Sequence, residues 1–205
     1  MNLEQQLEKS KAWMAEAAQS IDGLSFISTH KLRASLSLMH LCLEHQQGIH
    51  TLVDNGIVGS AFALYRPMLE AYVRGLWCLL CASDGQVDAF LRGGEPPPFG
   101  KLIEVIEQHP QFQGGGLSRI KKAQWTTLCA FTHGGSTQIH ARNTADEIIV
   151  RYTEKHIGGL LRASMTISFL ATQFMLTNTE QGDAALPALW GKFQELLNGD
   201  MGLHG

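Results

Sequence analysis

The stretch from Gly56 to Ala82, GIVGSAFALYRPMLEAYVRGLWCLLCA, constrains this chain more than any other. Its apolar residues recur at helical spacing, with Ile57, Ala61, Leu64, Met68, Tyr72, Leu76 and Leu79 on one side. The charges Arg66, Glu70 and Arg74 fall on another stripe at i, i+4 and i+8, with Trp77 beside them. A helix this apolar belongs in a core. Pro67 stands inside the pattern and predicts a kink or a division into two shorter helices, because it lacks an amide and crowds the carbonyl four residues back.

The rest of the chain reads as helix too. Leu3 to Ser20 is one helix, closed by Gly23, and a second begins near Ser28 or Thr29 and runs to Asp54. On that second helix Leu32, Leu36, Met39 and Leu43 form an apolar stripe, and Arg33, Ser37, His40, Glu44 and Gln47 a polar one. Asp84 to Leu91, Phe99 to Gln108, Leu117 to Thr132 and Pro187 to Leu197 read as shorter helices, and Gln111 to Gly116 as a flexible link. A long helix is expected from Ala145 to about Asn178, bent at Gly158-Gly159, and a frayed tail after Gly199. No alternating strand pattern appears. The expectation is an all-α, up-and-down helical bundle with long helices and short accessory helices, spanning 1–205 as a single domain.

Composition narrows the function classes. A formal charge of −3 gives no bulk attraction to polyanions, so a nucleic-acid partner is not indicated by net charge and would need a local basic patch. The start of the chain carries no secretory leader and the run near Met68 is broken by Glu70 and Arg74, so a cytoplasmic location with no membrane span is expected. Cys78 and Cys81 have redox spacing, but two leucines separate them in an apolar helix and they read as small core residues. His40, His45 and His50 diverge around one helix, and His40 with Glu44 alone leaves a metal short of ligands, so no metal and no cofactor is expected.

Three groups of residues could carry chemistry. A carboxylate held between two guanidiniums, as Glu70 is between Arg66 and Arg74, stays ionised and suits anion binding or positioning better than acid catalysis. His133 comes next, at a predicted helix C-terminus before Gly134-Gly135-Ser136, where it could face that stripe. The third group follows from arginine-to-histidine spacing. Arg33 and His40, with six residues between, differ by about 20° on a helix, whereas Arg151 and His156 differ by about 140°. Roughly one such match arises by chance in a chain of this composition.

The segments RPxxEAYxRGxW, at Arg66 to Trp77, and FTHxG, at Phe131 to Gly135, together with Trp125, resemble a family of uncharacterised bacterial helical proteins of unknown function. The likeness covers most of the chain. Related helical families are similar to HEPN and abortive-infection proteins, and this resemblance implies a role in phage defence or toxin systems. HEPN ribonucleases carry an arginine followed after four to six residues by a histidine. Arg142-Asn143 resembles the start of that motif but lacks the histidine.

Three readings therefore stand side by side, and no reaction is identified. One is a binding or interaction protein with a polar cleft at Arg66, Glu70, Arg74 and His133 for an anionic ligand. The next is a metal-independent, HEPN-like RNase using Arg33 and His40 or the region of Arg74 and His133. The last is a structural homodimer whose charged stripe fixes helix register. A homo-oligomer, most simply a dimer, is the expected assembly.

Overall fold

Pro67 does not divide the third helix. The computed structural model describes residues 2–180 and 182–198, and nine α-helices run through them. These are α1 (Leu3–Ile21), α2 (His30–Asp54), α3 (Val58–Leu80), α4 (Asp84–Leu91), α5 (Phe99–Ile106), α6 (Gly116–Thr132), α7 (Ser136–His140), α8 (Glu154–Thr177) and α9 (Leu186–Asn198). The architecture is all-α, with long helices packed as a bundle and short ones around them; α3 passes through Pro67 as one element. The tail expected to fray after Gly199 lies outside the described residues.

Local sequence sets the helix starts. Asn2 and Gln5 form a reciprocal capping box on α1, with Asn2 Oδ1 accepting from the Gln5 amide at 2.9 Å. Thr29 Oγ1 accepts from the Leu32 amide at 3.1 Å and starts α2, and Ser83 with Gln86 forms a second capping box on α4. Gly56, with φ +74°, makes the tight turn that folds α3 back along α2.

The helix expected from Ala145 begins only at Glu154. Thr144 Oγ1 accepts from the amides of Asp146 and Glu147, which turns the chain. The amides of Ile149 and Arg151 then donate back to Arg142 and Ala141 at 3.0 and 2.8 Å. The β-branched run Ile148-Ile149-Val150 favours this extended form over a helix. Thr153, whose hydroxyl accepts from the His156 amide, is the residue that opens α8. The expected bend at Gly158-Gly159 is replaced by unbroken helix, and a Cβ on Gly158 would overlap the Gln6 side chain, so this glycine serves the approach of α1.

Packing follows the two faces of each helix. α2 and α3 lie against one another along their lengths, with Met39, Cys42, Met68, Tyr72 and Leu76 buried between neighbours. At Gly75 they come close enough for its carbonyl to accept from Ser35 Oγ at 2.7 Å. On α2, Leu36, Met39 and Leu43 are buried, while Arg33, Ser37, His40, Glu44 and Gln47 are exposed.

α8 crosses α1 and α2, and α9 closes one end with a second cluster in which Phe169 and Phe193 stack at 4.1 Å and Trp13 meets Phe193 edge-on. A buried polar thread ties these helices together. Trp13 Nε1 donates to Ser168 Oγ at 3.0 Å, and Gln46 Nε2 donates to Ser10 Oγ at 3.2 Å, with Ser168 Oγ reaching Gln46 Oε1 at 3.5 Å. Among the described residues no helix is long and apolar enough to cross a membrane.

Candidate functional site

The charged stripe lies on the flank of α3 that α5 and α6 cover. Successive turns of α3 place Arg66, Glu70 and Arg74 one above another. Glu70 bridges the two arginines, its Oε1 accepting from Arg66 Nε at 2.8 Å and its Oε2 from Arg74 Nη2 at 2.7 Å. The side chains retain only 19% exposure at Arg66 and 15% at Glu70, so this is no solvated surface ladder. Arg74 is more open at 32%, yet its Nε is buried without a hydrogen-bond partner.

α6 supplies the opposite wall. His133 caps its C-terminus, where Gly134 takes a φ of +65° and the Gly135 amide donates to the Ala130 carbonyl at 2.7 Å. This turn carries the His133 imidazole to Arg66, with Nε2 at 2.6 Å from Nη1. A guanidinium has no acceptor, so Nε2 is the acceptor and the ring proton belongs on Nδ1. Trp125 lies one helical stripe along, its ring centroid 4.7 Å from the Arg66 guanidinium carbon, and Phe99 of α5 stacks on the outer face of that indole at 4.2 Å. Arg66 is thus held by a carboxylate, an imidazole and an aromatic platform.

The same wall answers Pro67. Without an amide there, the Ala63 carbonyl loses its helical donor. Thr132 Oγ1 stands 3.4 Å from that carbonyl and 2.9 Å from the Leu128 carbonyl, so its proton is shared between the two. The RPxxE and FTH segments are therefore one structural unit, joined through adjacent residues at both ends.

The charge of this unit does not cancel. Two guanidiniums face one carboxylate, which leaves one positive charge on a half-buried site, with a histidine donor turned away from Arg66.

A model of a protein family matches residues 39–198, from within α2 to the end of α9, and so takes in both segments. The chain belongs to DUF6988, a family of unknown function. No curated protein and no solved structure matches it.

In this DUF6988 chain the structure gathers Arg66, Glu70, Arg74 and His133 at one place and sets Arg33 and His40 at another. The latter two are exposed and line one surface cavity of about 410 Å³ with Phe26, Ser28 and Ser37. Arg33 and Ser37 also line the neighbouring cavity, about 640 Å³, where His30 Nδ1 lies 3.2 Å from Asp88 Oδ1. Arg151 and His156 point from different elements, a loop and the first turn of α8. Arg142, the residue that resembles the start of the HEPN motif, is engaged inside the fold. It packs on Gln138, Tyr152 and Gly59, where a Cβ would strike its guanidinium.

The thiols are quiet. Burial pushes Cys78 up to about 11 and raises Cys81, so both stay protonated near neutrality, as small core residues do. The sequence marks Trp125 and Thr132 among the residues of the family resemblance without assigning either to the cleft. Their spacing with Leu128, at i, i+3 and i+7, was the available signal that all three face α3.

Proposed function

We propose that this DUF6988 chain is a binding protein that takes an anionic group, a carboxylate or a phosphate, at Arg66, Glu70, Arg74 and His133. The observation that carries the reading is the uncompensated guanidinium: Arg66 and Arg74 share one carboxylate, and Arg74 retains a buried Nε without a partner. Glu70 and Trp125 hold the guanidiniums in fixed orientation, so little side-chain entropy remains to be lost when an anion arrives. His133 adds a donor at Nδ1. Reversible binding suits a carboxylate whose two oxygens are both engaged by arginines.

The test is calorimetric titration with inorganic phosphate and with acetate. Arg74→Gln is expected to weaken binding about tenfold or more, and Glu70→Gln, which keeps one acceptor oxygen but removes the competing negative charge, to strengthen it. Binding that ignores both substitutions in folded protein, or no binding at about 50 mM of either anion, would remove the reading.

A second reading rests on a separate observation, the shared cavity beside Arg33, Ser37 and His40. In it the chain is a metal-independent RNase of HEPN type acting in defence or toxin systems. His40 takes the proton of a 2′-hydroxyl, the 2′-oxygen attacks phosphorus while Arg33 holds the phosphate, and the P–O5′ bond breaks with solvent protonating the leaving oxygen. Single-stranded RNA incubated with the chain in a metal chelator is the assay. Cleavage that persists in Arg33→Ala and His40→Ala would exclude these residues.

A further inference from the structure

Between α7 and α8 the chain doubles back as a narrow two-strand ladder. Asn143 and Ile148 face each other in an antiparallel bridge, and the amides of Thr144, Ile149 and Arg151 donate to the carbonyls of Glu147, Arg142 and Ala141. The ladder is anchored to the bundle. Tyr152 stacks on Phe62 at 5.1 Å and donates to Gln138 Oε1 at 2.8 Å, and Gln138 Nε2 donates to the Gly59 carbonyl at 3.0 Å.

That pattern decides where the other backbone groups point. In a pair of this kind, residues that bond across the ladder alternate with residues whose N–H and C=O face away. Glu147, Ile149 and Arg151 bond inward; Ile148 and Val150 face outward and take no part in the hydrogen bonds of the described residues. Their side chains are equally open, with Ile148 exposed by 83%, Val150 by 54% and Ile149 by 45%. The centre of this edge has no proline, lysine or covering element, the devices that ordinarily protect a strand edge.

We propose that this edge joins two copies of the chain, strand 147–151 pairing antiparallel with its own copy about a two-fold axis at Ile149. The sequence Glu147-Ile-Ile-Val-Arg151 is self-complementary in that register. Glu147 of each copy comes opposite Arg151 of the other, Ile148 opposite Val150, and Ile149 opposite itself. Neither Glu147 nor Arg151 has a salt-bridge partner among the described residues of its own chain.

Hydrogen-bond parity is satisfied in that register. The outward groups of Ile148 meet those of Val150 in the copy, so each such pair exchanges both of its bonds. Centring the axis on Ile148 or Val150 also satisfies parity, but sets Glu147 or Arg151 against Ile149. One face of the ribbon then holds Ile149 between two ion pairs, and the other a cluster of Ile148 and Val150 from both copies. The contact is smaller than the roughly 1,200 Å² of a standard interface, so the dimer belongs to the weak, concentration-dependent class.

Sedimentation equilibrium of the full chain over about 1–200 µM is expected to show monomer passing to dimer. Glu147→Arg alone and Arg151→Glu alone each set like charges across both ends of the ribbon and should weaken the dimer about tenfold. The double exchange should restore it, and a mixture of the two single variants should form a mixed dimer. Ile149→Cys, under mild oxidation, should yield a disulfide-linked dimer that the native chain, with its own four cysteines, does not form. A chain that stays monomeric throughout, or a dimer whose strength ignores the charge exchanges, overturns the pairing.

Discussion

The hydroxyl of Thr132 stands 3.4 Å from the carbonyl of Ala63, the acceptor that Pro67 deprives of its helical donor. Proline inside a helix ordinarily costs about 3 kcal/mol, part of it through that orphaned carbonyl. Here a second helix supplies the donor. The residue after Thr132 is His133, and the residue before Pro67 is Arg66, so one contact repairs the helix and the adjacent one builds the site.

Thr132→Val removes the donor while keeping the shape, and is expected to cost about 1 kcal/mol in urea unfolding. Pro67→Ala returns an amide to the Ala63 carbonyl. In that background the cost of Thr132→Val should nearly vanish, and a fully additive double-mutant cycle would show that the hydroxyl serves only Leu128.

Glu70→Ala leaves two guanidiniums adjacent without their shared carboxylate. The expected loss is about 1–3 kcal/mol, the scale of hydrogen bonds to charged groups in a partly buried setting. Replacing Arg66, Glu70 and Arg74 together by Leu removes the stripe without leaving an unpaired charge, and should lower stability less than Glu70→Ala does. If that triple variant folds and no longer binds phosphate, the stripe is more than a device for helix register.

Gln46 joins Ser10 to Ser168, and Ser168 in turn accepts from the Trp13 indole, all inside the bundle. Ser168→Ala should cost about 1–3 kcal/mol, because the Trp13 N–H would be buried without an acceptor. Thermal unfolding measures this directly, and an unchanged midpoint would mean that Gln46 or water takes the proton.

Burial lowers the pKa of His45 and His50 below their ordinary value of 6.5; for His45 this outweighs Glu44, and for His50 it outweighs Asp54 and Glu8, with Lys11 acting in the same sense as burial. A depressed histidine binds its proton more readily when unfolded. The stability these residues contribute is therefore complete above about pH 6.5 and is lost as pH falls through their folded values. Unfolding midpoints should drop on acidification from about pH 7 to 5, and His50→Phe should flatten part of that slope.

Much of this molecule was legible in the chain. The capping residue Thr29, the apolar phase of α2 and α3, and the Arg66-Glu70-Arg74 ladder are all local patterns, set by neighbours within four residues. The misreadings have local causes as well. The helix expected from Ala145 gives way over its first residues because Thr144 offers a turn, Ile148-Ile149-Val150 favours extension, and Ala141 and Arg142 supply carbonyl partners across the ladder. The bend expected at Gly158-Gly159 is absent because Gly158 serves instead the close approach of Gln6.

The sequence by itself determined the helices, their buried faces and the existence of a charged edge on the most apolar one, since helical periodicity depends only on residues a turn apart. It could not determine what that edge meets. Arg66 and His133 are 67 residues apart, and only the packing of α6 across α3 brings them to 2.6 Å. The same packing turns Pro67 from a helix breaker into a residue whose open carbonyl has a partner. Such contacts belong to the tertiary structure because they arise from how buried faces fit together, which no spacing along a single helix encodes.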